Sequence, residues 1–317
     1  MRVLLALGGN AMTADGRARP EDQIAAAEWA MAAVAELLEH DIEVVLTHGN
    51  GPQVGNLLVK NEIAAGVVPP VPLDWCGAQT QATLGFILMN ALDAALDRRG
   101  ITKPNATVVT RALVRADDPG FVRPSKPIGR YLSAEEAQSM IEHGETWEDR
   151  GDRGWRRVVA SPEPVEILDA AAVVALIEAG FVVVANGGGG IPVVRRADGT
   201  LAGVEAVIDK DLGAARLART VQADVLVIAT DVPNAVIGFG TAAAEPLGEV
   251  SVAQLRGYAA AGHFASGSMG PKVDAVCRFV EAGGQRAMIT DLAHIVEAVT
   301  APVGHLAGTV VVPEPTS

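Results

Sequence analysis

Short apolar runs alternate along this chain with longer segments whose apolar residues recur at helical spacing. The runs at residues 2–7, 42–47, 181–185 and 225–229 are nearly continuous and lack a regular alternation with polar residues. Such runs are typical of strands in a parallel sheet that helices cover on both faces. The pattern therefore predicts an α/β fold, a three-layer αβα sandwich around a mainly parallel open sheet.

Helical spacing covers residues 21–40 and 76–99, and further strands are predicted at 107–111, 286–289 and 308–312. A chain of 317 residues suits one large α/β domain or two lobes that share one sheet, and it can bury a substantial core. Apolar residues make up 49% of the chain and aromatic residues only 4%, so we expect an aliphatic core.

Residues 117–161 interrupt the alternation of strands and helices. This segment is rich in proline, glycine and charge, with a helix predicted near 133–143 and a hairpin-like stretch at 145–159 that holds Trp147 and Trp155. It predicts a subdomain that protrudes from the sheet, with both tryptophans packing its hairpin. A second polar hairpin is predicted at 193–207, with Ala-Asp-Gly at its turn.

The charge balance excludes one broad class of partner. The net charge is −13, with 38 acidic and 25 basic residues, whereas nucleic-acid surfaces need basic patches. Cys76 and Cys277 stand far apart and offer neither metal-ligand spacing nor a disulfide framework. The first apolar run is too short for a signal peptide, and no stretch approaches a membrane span. We expect a cytoplasmic protein without nucleic-acid or membrane partners.

Glycine-rich or charged turns follow four of the predicted strands. The turns are Gly8-Gly9-Asn10, His48-Gly49-Asn50-Gly51, Asn186-Gly187-Gly188-Gly189-Gly190 and Thr230-Asp231. In open α/β sheets, ligands bind beyond the carboxyl ends of the strands. Glycine lets the backbone approach a ligand closely and direct N–H groups at it, and helix N-termini favour anions. The four turns together predict an elongated site for anionic groups.

The familiar nucleotide-binding motifs do not fit the chain. The nearest approach to a P-loop, the segment from Gly267 through Ser268 and Met269 to Lys272, has the wrong spacing and lacks the terminal hydroxyl. The four-glycine run fails the dinucleotide fingerprint because Pro192 occupies the last glycine position. The catalytic-loop and DFG motifs of protein kinases are absent.

The chain is unusually poor in lysine, since its 25 basic residues include only five lysines. Lys126 lies in the protruding segment, Lys210 at a predicted helix start, and Lys272 just after a Gly-Ser-Met-Gly-Pro turn. A lysine in the first turn of a helix opposes the helix dipole, so it is misplaced for stability alone. Lysine also supplies a compact point charge that arginine does not. These three lysines are therefore candidates for a functional site.

Phosphoryl transfer needs positioning, in-line geometry and positive charge on the transferring group. Lysines, backbone N–H turns and a carboxylate that holds the lysines in place are a sufficient set, and an anionic acceptor needs no general base. Asp209 and Asp211 flank Lys210 and are well placed to cap its helix. His48 is more simply explained as a structural hydrogen-bonding residue, and Cys76 has no partner histidine nearby.

Eight segments in order along the chain resemble carbamate kinases, a branch of the amino-acid-kinase superfamily. They are ALGGNA at 6–11, THGNGPQVGNL at 47–57, PLDWCGAQTQ at 72–81, RPSKPIG at 123–129, RRVVASPEPVEI at 156–167, NGGGGIPVV at 186–194, GVEAVIDKDL at 203–212 and GSMGPKVDA at 267–275. The GGN and HGNGPQ turns mark only the superfamily. The segment with Lys126, together with DKD and GSMGPK, narrows the resemblance to carbamate kinases.

The resemblance implies a homodimer and a division of labour within the chain. Residues 1–205, including the protruding subdomain 117–161, would bind carbamate, and residues 206–317 would bind ATP or ADP with Mg²⁺, the metal being held mainly through the nucleotide phosphates. Carried over by motif, the acceptor site comprises Gly8, Gly9, Asn10, Gly49, Asn50 and Gly51. Lys210 and Lys272 would stabilise the transferring phosphoryl group, Asp211 would orient them, and Lys126 would reach in from the subdomain. The nucleotide site comprises Asp231, Gly267, Ser268 and Met269.

The sequence departs from the family pattern at two places. Ser266 stands where the family often has proline, and residues 79–90 differ from the usual CGAxSQGxIGY pattern. These departures leave open a kinase for another small carboxylate or carbamate-like acid on the same fold. A catalytically silent nucleotide-binding regulator is a second alternative. Retention of all three lysines and Asp211 argues against silence.

Overall fold

Two parallel pairings place the first strand of the chain at the centre of the main sheet. The computed structural model describes residues 1–9, 19–264, 268–302 and 307–314. Strand β1 (Arg2–Leu7) pairs in parallel with β2 (Glu43–His48) on one side and with β12 (Val225–Thr230) on the other. Its side chains are buried beyond Arg2, as the continuous apolar run predicts for a strand covered on both faces.

The main sheet has eight strands in the order β15-β17-β16-β12-β1-β2-β9-β3. Its other members are β3 (Asn105–Thr107), β9 (Val182–Val184), β15 (Glu249–Ser251), β16 (Arg286–Asp291) and β17 (Thr309–Val312). β16 and β17 pair antiparallel, and the other neighbours are parallel. The predicted mainly parallel open sheet is confirmed.

Helices cover both faces of this sheet. One layer contains α1 (Pro20–Glu39), α3 (Leu73–Arg99) and α10 (Ile295–Thr300), and the other contains α6 (Ala170–Glu178), α7 (Lys210–Thr220), α8 (Val252–Ala260) and α9 (Met269–Glu281). Successive residues of β1 serve opposite layers, since Leu4 packs with the second layer and Leu5 with the first. The predicted αβα sandwich is confirmed.

A second sheet of four strands lies against the α7 layer, in the order β11-β10-β4-β8. These strands are β4 (Arg111–Val114), β8 (Pro164–Ile167), β10 (Ile191–Arg195) and β11 (Leu201–Gly203). β10 and β11 form the predicted hairpin. A short hairpin of β13 (Val236–Ile237) and β14 (Glu245–Pro246) precedes β15.

The predicted strand at 107–111 is wrong. The chain leaves the main sheet after β3 and enters the second sheet at β4, so two short strands replace one. Thr110 fixes this crossing: its hydroxyl accepts from the backbone N–H of Asn186 at 2.6 Å, and its own N–H donates to the amide oxygen of Gln81 at 2.8 Å. These bonds divert the backbone away from the ladder of the main sheet.

The segment 117–161 forms a subdomain with its own antiparallel sheet, in the order β5-β7-β6. Its elements are α4 (Pro119–Val122), β5 (Lys126–Leu132), α5 (Ala134–Glu142), β6 (Trp147–Asp149) and β7 (Trp155–Val159). Trp147 and Trp155 pack with Leu132 in a small core, as predicted. At the base of the subdomain, Ile128 and Val159 pack against α2 (Gly51–Ala64) and α3, which anchors it to the main body.

None of the helices within the described ranges combines the length and the apolar character that a bilayer crossing requires.

Candidate active site

A cavity of about 500 Å³ opens at the carboxyl ends of β1, β2 and β12. It is lined by every predicted site residue that the structure describes. These are Gly8, Gly9, Gly49, Asn50, Gly51, Lys126, Lys210, Asp211, Lys272, Asp231, Ser268 and Met269. The predicted residues Asn10 and Gly267 lie outside the described residues. The fold therefore brings together turns and lysines that are more than 260 residues apart in the sequence, from Gly8 to Lys272.

One rim of the cavity is built from the turns after β1 and β2, which lie against each other because the two strands run in parallel register. The N–H of Gly8 donates to the carbonyl of Ala229 at 2.8 Å, and the N–H of Gly49 donates to that of Leu7 at 2.9 Å. A Cβ at Gly49 would lie only 2.7 Å from the backbone nitrogen of Gly9. Glycine is therefore required where the two turns meet.

Lys210 and Lys272 converge on one buried carboxylate. The Nζ of Lys210 lies 2.5 Å from Oδ1 of Asp211, and the Nζ of Lys272 lies 3.0 Å from Oδ2. The side chain of Asp211 is 4% exposed and each lysine side chain is 14% exposed. Lys210 begins α7, as predicted, and Lys272 lies in the first turn of α9. One carboxylate thus holds two ammonium groups at the cavity wall.

Burial and charge act against each other within this trio. Burial alone raises the pKa of Asp211, but the two neighbouring ammonium groups outweigh it and hold that pKa below its usual value. Burial lowers the pKa of Lys210, and the attraction of Asp211 opposes that change. The carboxylate is therefore ionised at neutral pH and favours the charged form of Lys210.

Lys126 enters the cavity from the first residue of β5 and contacts a different carboxylate. Its Nζ lies 2.6 Å from Oδ2 of Asp209, where the two side chains are 32% and 11% exposed. Asp209 is also the N-cap of α7, because its Oδ1 accepts from the backbone N–H groups of Asp211 and Leu212. The predicted capping role of Asp209 is confirmed, and its contact with Lys126 was missed. This ion pair ties the subdomain to the helix that carries Lys210.

His48 supports the rim. Its ring is buried, and burial lowers its pKa to about 4, so the imidazole is neutral. With Nδ1 protonated, the ring donates to the carbonyl of Gly49 at 3.0 Å. A Cβ at Gly187 would fall 2.4 Å from Nε2. These contacts are those of a structural residue that positions two of the glycine turns.

Thr80 and Gln81, in the segment of α3 that departs from the family pattern, support two of the glycine-rich turns by hydrogen bonds from behind the cavity. The amide of Asn50 donates to the Thr80 hydroxyl at 2.9 Å, and Gln81 donates to the carbonyl of Gly187 at 2.9 Å. Threonine keeps the hydroxyl of the serine in the usual pattern. Ser266, the other departure, lies outside the described residues.

The cavity is also lined by residues that the sequence did not predict, among them Asn234, Phe239, His263 and Phe264. Phe239 follows β13, and its side chain is 79% exposed at the mouth. An exposed aromatic residue beside a cavity offers a flat apolar surface for a ring. The only signal in the sequence was an aromatic residue in a polar hairpin of a chain with few aromatics.

Comparison with known proteins agrees with this geometry. The sequence profile of the amino acid kinase family matches residues 1–291. The carbamate kinase of Thermococcus kodakarensis is 46% identical over 308 residues, 96% of this chain and 98% of that relative. The carbamate kinase-like protein YahI of Escherichia coli is 46% identical over 294 residues, 91% of this chain and 92% of that relative. The solved structure of carbamate kinase from Giardia lamblia bound to AMP-PNP has a TM-score of 0.90 at 37% identity, covering 99% of this chain and 98% of that one.

The fold is an αβα sandwich, and its glycine turns and paired lysines lie at the carboxyl ends of the strands. The sequence profile matches as well, so the chain belongs to the amino acid kinase family. Within that family it is similar over nearly its whole length to carbamate kinases, and it belongs to that branch. The resemblance read from the eight sequence segments is thereby confirmed.

Proposed function

We propose that the protein is a carbamate kinase, which transfers a phosphoryl group reversibly between ATP and carbamate to give ADP and carbamoyl phosphate. The observation that carries the proposal is the pair of ammonium groups, Lys210 and Lys272, held on Asp211 beside the glycine turns. Fixed positive charge next to backbone N–H groups suits a phosphoryl group in transfer. The full-length similarity to carbamate kinases supports carbamate as the acceptor.

In the proposed mechanism, the turns after β1 and β2 hold carbamate, and its carboxylate oxygen attacks the γ-phosphorus in line. The P–O bond to ADP breaks as the new one forms, and charge develops on the phosphoryl oxygens. Lys210 and Lys272 neutralise that charge, while Asp211 keeps both ammonium groups in place. Lys126 adds a third charge from the subdomain. No general base is needed because carbamate is already an anion.

Magnesium would enter with the nucleotide. Mg²⁺ in kinase sites takes one or two carboxylates and the substrate phosphates, rather than a cage of protein ligands. Asp231 lines the cavity and, among the described residues, makes no ion pair, its carboxylate accepting only from the hydroxyl of Thr230 at 3.0 Å. Asp231 therefore fits a role near a nucleotide-bound ion. When bound, the metal neutralises phosphate charge.

We propose that residues 1–205 form the acceptor lobe and residues 206–317 the nucleotide lobe. The order of the main sheet supports this division, since β1, β2, β9 and β3 occupy one half and β12, β16, β17 and β15 the other. The cavity lies where the two halves meet, at the β1–β12 boundary. Phosphoryl transfer would then occur across that boundary, with Ser268 and Met269 on the nucleotide side.

We also propose that the protein is a cytoplasmic homodimer. Trp75 and Phe86 are 59% and 58% exposed on α3, and their spacing of three helical turns places them on one face. An exposed aromatic row on a long helix suits a two-fold contact with the same helix of a second copy. Light scattering tests the dimer, and Phe86→Asp should shift the mass toward the monomer.

The decisive test of the function is the reverse reaction. Purified protein given ADP, Mg²⁺ and carbamoyl phosphate should form ATP promptly, with a higher kcat/KM than with acetyl phosphate. A higher kcat/KM with acetyl phosphate would mean that the acceptor is another carboxylate and not carbamate, although the protein would still be a kinase. If no acyl phosphate supports ATP formation, the remaining hypothesis is a catalytically silent nucleotide-binding regulator.

The same assay tests the lysines. Lys210→Ala and Lys272→Ala should each lower kcat by about 10²–10⁴, the scale for losing a preorganised charge at a developing anion. Lys60→Ala is the matched control, because Lys60 is exposed on α2, away from the cavity. Near-normal turnover in either site variant would remove that lysine from the mechanism.

A further inference from the structure

A second cavity, of about 530 Å³, lies outside the active site, where α7, α8 and α9 meet near the start of β8. Four arginines line it: Arg216 and Arg219 from α7, Arg256 from α8 and Arg278 from α9. We call this the arginine cavity. Four of the chain's basic residues thus share one concave surface on a protein whose net charge is −13.

Two of the four arginines are already neutralised. Arg256 binds both carboxylate oxygens of Glu281 at 3.0 Å and also reaches Asp274 at 2.6 Å. Arg278 binds Asp274 at 2.8 Å and pairs with Glu163. These pairs use all three of the carboxylates that line the cavity. Arg256 and Arg278 therefore build the wall and have little capacity left for a ligand.

Arg216 and Arg219 are different. Neither guanidinium forms an ion pair or a side-chain hydrogen bond with any residue in the described ranges of the chain. They stand three residues apart on α7, so they lie on the same face of the helix and both line the cavity. The charged side chains lining the cavity comprise four arginines and three carboxylates, which leaves it one positive charge in excess.

We propose that the arginine cavity binds a small organic anion that carries a phosphoryl group. A single carboxylate is saturated by one bidentate guanidinium, whereas a phosphoryl group has three oxygens and can accept from two guanidinium groups at once. Leu212, Ala215 and Pro164 give the same cavity an apolar wall for the carbon part of such a ligand. Its volume is in the range of small-molecule sites.

The ligand would contact the two helices that begin at the active site. α7 starts at Lys210 and reaches Arg219 about 14 Å further along, at about 1.5 Å per residue. α9 carries Lys272 in its first turn and Arg278 further along. An anion bound between the C-terminal parts of α7 and α9 would thus contact the same two helices whose N-terminal turns carry Lys210 and Lys272 and set the distance between them.

Calorimetry with inorganic pyrophosphate as the probe tests the site, in EDTA and at low ionic strength. The variant R216Q/R219Q removes two guanidinium groups that have no described side-chain partner, so it should fold normally, which circular dichroism checks. R98Q/R196Q is the matched control, because it removes the same charge from exposed positions outside both cavities. Pyrophosphate binding at the active site contributes equally to the two variants, and the comparison needs no turnover.

We expect R216Q/R219Q to bind pyrophosphate at least tenfold more weakly at one class of site, or to lose that class, while R98Q/R196Q matches the wild type. Citrate, a carboxylate probe, should bind there more weakly than pyrophosphate. Equal titration curves for both variants would overturn the site. Citrate binding as tightly as pyrophosphate, with the same dependence on Arg216 and Arg219, would overturn its assignment to a phosphoryl group.

Discussion

Asp211→Asn isolates the charge that holds the two active-site lysines while keeping the shape of the side chain. In the wild type, Asp211 contacts the Nζ atoms of Lys210 and Lys272 at 2.5 and 3.0 Å, and its side chain is only 4% exposed. The asparagine can accept one hydrogen bond but carries no charge. Two largely buried ammonium groups would then lose the carboxylate they share, and only the charge of Asp209, which forms no ion pair with Lys210, would still favour the charged form of Lys210.

The size of the effect follows from the burial of the trio. Unit charges about 4 Å apart attract by about 4 kcal/mol at the effective dielectric of a protein surface, and the attraction is greater at shorter range. Removing one partner of a buried pair costs about 3–5 kcal/mol, because the remaining charge is left uncompensated. We expect that loss in the free energy of unfolding at pH 7, and a kcat lower by about 10²–10³.

The pH dependence gives the sharper readout. Burial already lowers the pKa of Lys210, and Asp211 opposes it, so the variant lowers that pKa further. The native state then binds fewer protons than the unfolded state over more of the alkaline range, and stability lost at pH 7 should be partly recovered as pH rises. The decline of kcat with rising pH should begin at a lower pH than in the wild type, as the lysine loses its charge.

Urea unfolding at pH 7 and 9, together with the pH profile of ATP formation, measures both effects. Asp97→Asn, at an exposed position of α3 where no ion pair or side-chain hydrogen bond joins it to another described residue, is the matched control and should change neither. If Asp211→Asn keeps the wild-type stability and the wild-type pH profile, the carboxylate does not hold the lysines in their charged form.

Four further outcomes are expected from the structure. Hydrogen exchange over residues 117–161 should be faster than in the sheet and should slow when MgADP and carbamoyl phosphate bind, because we expect this subdomain to close over the small substrates as a lid. Uniform protection in both states would refute that closure. Lys126→Ala should lower kcat, and full activity of this variant would refute the role of the lysine. Burial lowers the pKa of His48 to about 4, so the ring stays neutral in the native state, whereas in the unfolded state it is protonated below about pH 6.5. The wild type should therefore lose about 2 kcal/mol of unfolding free energy between pH 7 and 5 that His48→Gln does not lose. Equal pH dependence of the two proteins in urea unfolding would contradict this. Cys76 and Cys277 are buried, and burial raises the pKa of both thiols, that of Cys277 to about 11. A disulfide reagent should therefore label neither thiol quickly before urea is added. Rapid labelling of the native protein would contradict their burial.

The strands could be predicted from the sequence wherever a continuous apolar run forms a single strand in a single sheet. The apolar runs that became β1, β2, β9 and β12 sit between two helix layers, so burial on both faces left a continuous signal in the sequence. The run at 107–111 gave the same signal, yet it crosses from one sheet to the other. Thr110 determines that crossing through contacts with residues far away in the chain, which local periodicity does not record.

In the candidate site too, features set by local sequence could be predicted, whereas contacts between distant residues could not. The glycine turns and the three lysines could be predicted because strand ends and helix starts constrain where they lie. The two roles of Asp209 could be predicted only in part, since capping is a local property whereas its partner Lys126 is 83 residues away. The position of Phe239 beside the cavity depends on how a short hairpin folds over the sheet edge, and no periodic pattern encodes that.

The central place of β1 has a consequence for synthesis on the ribosome. Val3 pairs with Val44 on one side, but its partner on the other side is Val225. At about 5–20 residues per second, the nascent chain would wait about 10–40 s between making β1 and making the strand that covers its second edge. During that interval an apolar strand edge stays open to other chains. A fragment ending at residue 205 would keep that open edge permanently. A nascent-chain chaperone should therefore raise the yield of the whole protein far more than that of this fragment.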